Sequence, residues 1–312
     1  ILIAIIDSKF STNHPELINQ LWVNEEEIPG NGIDDDGNGY IDDINGFDFV
    51  NYQANVIGDD DHGTHIAGIC VAEKNNQIGI SGVFPNAKFI PLACGSSLDS
   101  LDSFATYRAI NYITDLKQRG YNIVVVNASY GSNVFSQFEY ELINNLSNLG
   151  ILFCTASGNQ GINLEIEQDS NQNGILDSGE DINGNGNLDV SYPNNYDIPN
   201  IISVAATDIN SNLANFSNYG RSKVDIAAPG SNIYSTINLL VENRVAKISL
   251  NNGSEIPYRL IEYSGLIPET GINGKIISCG FGSAEEFPLN VNGNIALIQR
   301  GSTSGAVSYT HL

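Results

Sequence analysis

With 312 residues and 41% hydrophobic content the chain can bury a sizeable core, yet no apolar run approaches the ~18 residues that would suggest a membrane span. Acidic residues outnumber basic ones 36 to 13, and the net charge of -23 repels nucleic acid and anionic lipid while attracting cations. The chain starts at Ile1 without a leader pattern, so a mature protein or a fragment is expected, with any export signal upstream.

Continuous apolar runs recur along the chain. They are ILIAII (1–6), KFIPLA (88–93), IVVVN (123–127), ILFCTAS (151–157) and IISVAA (201–206). Helix-period segments lie between several of them. His62 opens the first, at 63–72. In 104–119, Phe104, Tyr107, Ile110, Ile113 and Leu116 share a face, with Gly120 as the stop; in 134–149, Phe138, Leu142, Leu146 and Leu149 do so before Gly150. Uniformly apolar strands alternating with amphipathic helices predict an α/β fold with a mostly parallel sheet covered on both faces. Ligands of such folds sit at the carboxyl ends of the strands. From about residue 240 helical periodicity fades, and short runs such as KIISCGF and NIALIQR predict a separate β-rich unit. Four cysteines (Cys70, Cys94, Cys154, Cys279) show no zinc-type spacing, and Cys94 and Cys154 lie in strand-like runs where a buried free thiol is expected.

Three strand ends carry polar residues. Asp7 follows the first run, Asn127-Ala128-Ser129-Tyr130-Gly131 the third, and Ser157-Gly158-Asn159-Gln160-Gly161 the fourth. His62 belongs at the same rim. An acid, an imidazole and a carboxamide there are three parts of acyl-transfer machinery: the acid orients the ring, the ring moves the proton, the carboxamide donates to a developing oxyanion. His62 and His65 stand i, i+3 with no Glu between, unlike the HExxH of zinc peptidases.

Taken in order, IAIIDS with NHPEL, DHGTHIAGI, NNQIGISGVFPNAKFIP, VVNASYGS, TASGNQG and NFSNYGRSKVDIAAPGSNIYST resemble the subtilisin-like serine peptidases (subtilases) over residues 1–237. The resemblance implies a three-layer subtilisin-like fold. It implies Asp7 as the orienting acid, His62 as general base and acid, and Asn159 as the oxyanion donor. Ser129, Tyr130 and Gly131 would bind the substrate backbone, Ala156, Ser157 and Gly158 would form the opposite wall of the pocket, and His65 would be a structural helix residue. Protein or peptide substrates follow, together with secretion and a prosegment upstream.

Two departures stand out. Lys9 occupies the family's glycine position after Asp-Ser, where lysine is expected to strain the turn and to lower the pKa of His62 or weaken its aspartate. The Gly-Thr-Ser-x-Ala-x-Pro segment that carries the family nucleophile is absent from the 312 residues. Residues 238–306 resemble part of a protease-associated (PA) domain, an insertion that many subtilases carry before the serine motif. Val-Ser-Tyr-Thr-His-Leu (307–312) is what a transposase-library sequencing adapter encodes. The expectation is therefore an interrupted reading frame, and an inactive fragment as it stands. The alternative is a calcium-binding pseudoenzyme or adhesion module on the same scaffold.

DSNQNGILDSGE (169–180) follows the EF-hand loop rule, with Asp169, Asn171, Asn173, the Ile175 carbonyl, Asp177 and Glu180 at the ligand positions and Gly174 at the turn. DINGNGNLD (181–189) repeats its start through Asp181, Asn183, Asn185 and Asp189, and DDDGNGYID (34–42) through Asp34, Asp36, Asn38 and Asp42. Oxygen ligands at this spacing predict Ca²⁺. By resemblance alone, the loop 74–80 would form the family's strong calcium site, from the Asn76 side chain, the carbonyls of Lys74, Ile78 and Ile80, and the carboxylate of Glu16.

Overall fold

A computed structural model describes residues 1–58, 60–96, 101–165, 177, 180 and 190–237, together with the backbone of four short strands beyond residue 244. Ile1–Leu240 is one compact unit. Its strands are β1 (Leu2–Asp7), β2 (Phe47–Asp48), β3 (Lys88–Ala93), β4 (Ile123–Ala128), β5 (Leu152–Ala156), β6 (Ile201–Thr207) and β7 (Ile226–Pro229). They form a seven-stranded sheet in the order β2-β3-β1-β4-β5-β6-β7, with every neighbouring pair parallel. The helices are α1 (His62–Val71), α2 (Ser103–Gln118) and α3 (Gln137–Asn148).

The apolar runs are strands because both of their faces are covered. Along β1, Leu2, Ala4 and Ile6 pack with Ala109, Ile110 and Ile113 of α2 and with Ile143 and Leu146 of α3. Ile3 and Ile5 point the other way, toward Ala67 and Val71 of α1. A period of two along the strand thus separates two apolar cores and three layers. Fully burying a Leu or Ile side chain contributes about 1.5–3 kcal/mol, so the two cores carry most of the fold's driving force.

Local chemistry sets the helix ends. Asp102 caps α2 by accepting the Ala105 N–H, and Ser136 caps α3 by accepting the Glu139 N–H. Gly120 (φ +100°) and Gly150 (φ +71°) take the left-handed conformation that ends each helix. Phe104 departs from the predicted face: it is exposed, and its ring meets Tyr107, which in turn meets Phe138.

Val241–Leu312 is a second compact unit. Val245–Ser249 (β8) pairs antiparallel with Glu255–Arg259 (β9), and Ile276–Ser278 (β10) pairs parallel with Ile295–Leu297 (β11). Apart from these strands, the expected PA segment and the 307–312 tail lie outside the described residues.

In the sheet register Ile6 is opposite Ala128, and Ala128 is opposite Thr155. The carboxyl ends of β1, β4 and β5 are therefore neighbours, and Asp7, Ser129 and Ser157 leave the sheet on one rim.

Candidate active site

β1 ends at Asp7, whose side chain is almost wholly buried at 1% exposure. α1 starts directly above it. Gly63 permits the approach, since a Cβ there would lie 2.5 Å from the Lys9 carbonyl and 3.2 Å from the Asp7 Cβ. Asp60 fixes the start of the helix. Its Oδ1 accepts the His62 N–H at 2.7 Å and the Ser8 hydroxyl at 2.8 Å.

His62 Nδ1 then lies 2.7 Å from Asp7 Oδ1. A carboxylate can only accept, so the proton sits on Nδ1 and Nε2 is left as the basic nitrogen. The Ser8 N–H also donates to Asp7 Oδ1, at 2.7 Å. Burial of the ring opposes its protonation, but the hydrogen bond and charge of Asp7, with the charge of Asp60, outweigh it and raise the His62 pKa.

Lys9 behaves differently from expectation. Its backbone is not among the left-handed residues, so the turn carries no strain of that kind. The buried Lys9 ammonium is bound by Asp48, whose side chain is 0% exposed, at 2.5 Å. The stem passes beside Gly58, where a Cβ would meet Lys9 Cγ at 2.5 Å. Burial raises the Asp48 carboxyl pKa, yet Lys9 and the Asn51 donors lower it further. With its charge met by Asp48, Lys9 does not depress His62, whose pKa moves up.

Asn159 lies in the loop after β5, with an exposed side chain. Gly158 before it has φ +109°. Ser157 donates its N–H to Val204 and its hydroxyl to the Asn218 carbonyl. Ala156 ends β5 opposite Val204 of β6. Across the rim, Ser129 Oγ accepts from the Asn127 carboxamide at 2.9 Å, and the Tyr130 hydroxyl donates to the buried Glu139 at 3.0 Å. Gly131 adjoins Ser191, which a Cβ would reach at 3.1 Å, and Ser132 next to it exchanges backbone hydrogen bonds with Tyr192. His65 points its ring at the Ile233 carbonyl, while Ser235 and Thr236 donate to carbonyls of α1.

The acidic loop 34–42 is arranged around a different set of acids from the one its spacing names. Asp34 accepts the N–H groups of Asn38 and Gly39 at 3.0 and 2.8 Å, and Asp42 accepts those of Asn31 and Gly32 at 3.2 and 3.0 Å. Asp36 instead converges with Glu27 and Asp43, all three within 4.8 Å of one another. The Asn38 carboxamide spans Asp36 and Asp43 at 3.1 and 2.9 Å, and that of Asn24 reaches both at 3.0 Å. This cluster could hold a metal ion. The spacing rule names Asp36 but neither Glu27 nor Asp43, because Glu27 reaches in from outside the loop.

Glu16 is nearly buried, and its carboxylate accepts the Ile80 N–H at 2.8 Å. Gly79, with φ +48°, leaves room for it. Asn76 Oδ1 accepts the Ile78 N–H, while the buried Asn76 Nδ2 has no hydrogen-bond partner among the described residues. Asn75 and Gln77 are left-handed on either side. Of the loop 169–180, Asp177 and Glu180 are described, and the Asp177 N–H donates to Glu180 at 3.1 Å. Asp169, Asn171, Asn173 and Ile175 lie outside the described residues, as do Asp181, Asn183, Asn185 and Asp189.

The sequence profile of the Subtilase family matches residues 1–258. Thermitase of Thermoactinomyces vulgaris is 31% identical over 234 residues, which span 75% of this chain and 64% of thermitase. Subtilisin-like protease 1 of Plasmodium falciparum (isolate 3D7) is 32% identical over 248 residues, 75% of this chain and 33% of that protein. The chain thus spans less than two thirds of the length of these curated relatives. A crystal structure of a cold-adapted subtilisin-like serine proteinase shares the fold, with a TM-score of 0.51 at 20% identity over 83% of this chain and 68% of that one. With the profile covering most of its length, the chain belongs to the Subtilase family.

Proposed function

We propose that this chain carries the N-terminal portion of the catalytic domain of a secreted serine endopeptidase that cleaves peptide bonds of protein substrates. The observation that carries the reading is the 2.7 Å contact between His62 Nδ1 and the buried Asp7, made at the carboxyl edge of a parallel sheet. His62 Nε2 would take the proton from a serine hydroxyl as the oxygen attacks the scissile carbonyl, then return it to the leaving amine. Asp7 would hold the tautomer and stabilise the imidazolium. Asn159 would donate to the oxyanion, a contact typically worth ~10²–10³ in turnover. The segment after β4, through Ser129, Tyr130 and Gly131, would bind the substrate backbone opposite Ala156, Ser157 and Gly158.

The serine would come from a segment encoded beyond residue 312, after the remainder of a PA unit. The second reading is a non-catalytic calcium-binding module on the same scaffold. Sequencing the gene past the codon for Ser304 separates the two. Secreted full-length protein should hydrolyse a peptide substrate and lose that activity with His62→Ala. Hydrolysis that persists in His62→Ala would remove the reading.

Calcium would stabilise the fold at two places that fit a hard cation with oxygen donors. One is Glu27, Asp36 and Asp43, where three carboxylates converge. The other is Glu16 with the 74–80 loop, where the buried Glu16 carboxylate already accepts the Ile80 N–H and would offer oxygen beside the loop carbonyls. The EF-hand-like loops from Asp169 to Asp189 would add further ligands.

A further inference from the structure

The Asn159 side chain is exposed, so something else must hold it where charge would develop. The backbone around it is anchored to one residue. Asn218 is 0% exposed and lies 59 positions further along the chain, between β6 and β7. Its Oδ1 accepts the N–H groups of Gln160 at 2.9 Å and Ile162 at 3.2 Å. Its Nδ2 donates to the Ser157 carbonyl at 3.0 Å and to Gln160 Oε1 at 2.8 Å. Gln160 Oε1 in turn accepts the N–H of Asn159 itself at 3.1 Å. The backbone of Asn218 adds a bond from its N–H to the Gly158 carbonyl at 2.9 Å. A Cβ on Gly158 would collide with the Asn218 carboxamide, so the loop is wrapped closely around it.

Two donors facing Oδ1 and two acceptors facing Nδ2 fix which way the carboxamide points. Neither Asp nor Ser can satisfy all four. An aspartate would set a buried negative oxygen against the Ser157 carbonyl and the Gln160 side-chain oxygen.

We propose that Asn218 is the positioning residue of the oxyanion donor. It presets the 157–162 loop so that the Asn159 carboxamide stands ready before substrate arrives. Preorganisation of this kind counts because displacement of a reacting group by about 1 Å can lower turnover about 10²-fold. The inference rests on the serine-peptidase reading above, since it assigns Asn159 its role.

The test is a double-mutant cycle on the full-length protein. Asn218→Ala should lower kcat about 10- to 10²-fold with KM within about threefold, because the lost interaction acts in the transition state. In the double variant with Asn159→Ala, kcat should equal that of Asn159→Ala alone within about threefold, as residues acting through one group are non-additive. Multiplicative losses, or an unchanged kcat in Asn218→Ala, would overturn the proposal. Amide hydrogen exchange on the same protein gives a readout independent of turnover. In Asn218→Ala the amides of Gln160 and Ile162 should exchange at least about tenfold faster, with Val126 of β4 unchanged. Equal acceleration at Val126, or none at Gln160, would overturn it. A wild-type protein without turnover would fail the peptidase reading alone, and the exchange result would still decide whether Asn218 holds the loop.

Discussion

Proton transfer by His62 requires a neutral ring, so the pH at which it loses its charge sets the acid limb of any activity. Burial pulls its pKa down, while the bond and charge of Asp7 and the charge of Asp60 push it up, and the balance lies above the ordinary value of 6.5. A ring whose folded pKa is raised stabilises the protein below its unfolded pKa, and that contribution is lost as pH rises through the folded pKa. Asp7→Asn removes the largest of the raising effects. NMR titration of the His62 ring should show its midpoint lower than in the unmodified protein, and an unchanged or higher midpoint would contradict the assignment of Asp7. In the sequence Asp7 and Asn159 are placed by the apolar runs they follow, and His62 by the helix-like segment it opens. Asn218 lies in the NFSNYG stretch, but its role is not legible there, because its carboxamide acts 58 residues back on Gln160.

Among the elements, α1 and β1 meet at a crowded corner where Gly58, Gly63 and Lys9 fit together. Lys9 ties the exit of β1 to Asp48 at the end of β2, and its stem packs where Gly58 has no side chain. The odd lysine of the sequence is thus accommodated by two partners that reading along the chain does not connect. Lys9→Met keeps the stem but leaves the Asp48 carboxylate buried with only amide donors. Removing one partner of a buried pair should cost about 3 kcal/mol, at the lower end because Val50 and Asn51 still donate to Asp48. Chemical denaturation at neutral pH checks this, and a midpoint unchanged in Lys9→Met would contradict the strut. The pair also has a pH signature. Asp48 has a lowered folded pKa, so its contribution is present above the unfolded carboxyl pKa and lost as pH falls through the folded one. The long strands were legible because both faces are covered and their runs are apolar throughout. β2 has two residues and β7 four, too short for any periodicity to register.

At the scale of the whole molecule, 36 acidic residues against 13 basic ones leave a net charge of -23 that destabilises a compact state by self-repulsion. Bound cations would relieve that repulsion where acids are forced together, at Glu27, Asp36 and Asp43 above all. The sequence spacing points to this loop and to Asp36 but not to Glu27 or Asp43, since their convergence depends on how Glu27 folds back over the loop. A ligand held only by the native state stabilises it by about 2.7 kcal/mol at a hundredfold excess over Kd. Chelation should therefore lower the melting temperature, with recovery on adding Ca²⁺, and a smaller response in Asp43→Asn. An unchanged melting temperature would contradict the calcium assignment.

We propose Asp7 and His62 as the acid and base of a serine peptidase whose nucleophile lies outside these 312 residues. Labelling the secreted full-length protein with a fluorophosphonate, and locating the adduct by peptide mass spectrometry, tests it most directly. One modified serine is expected in a segment after residue 312, with labelling lost in His62→Ala. A native protein that ends without such a serine, or labelling unaffected by His62→Ala, would contradict it.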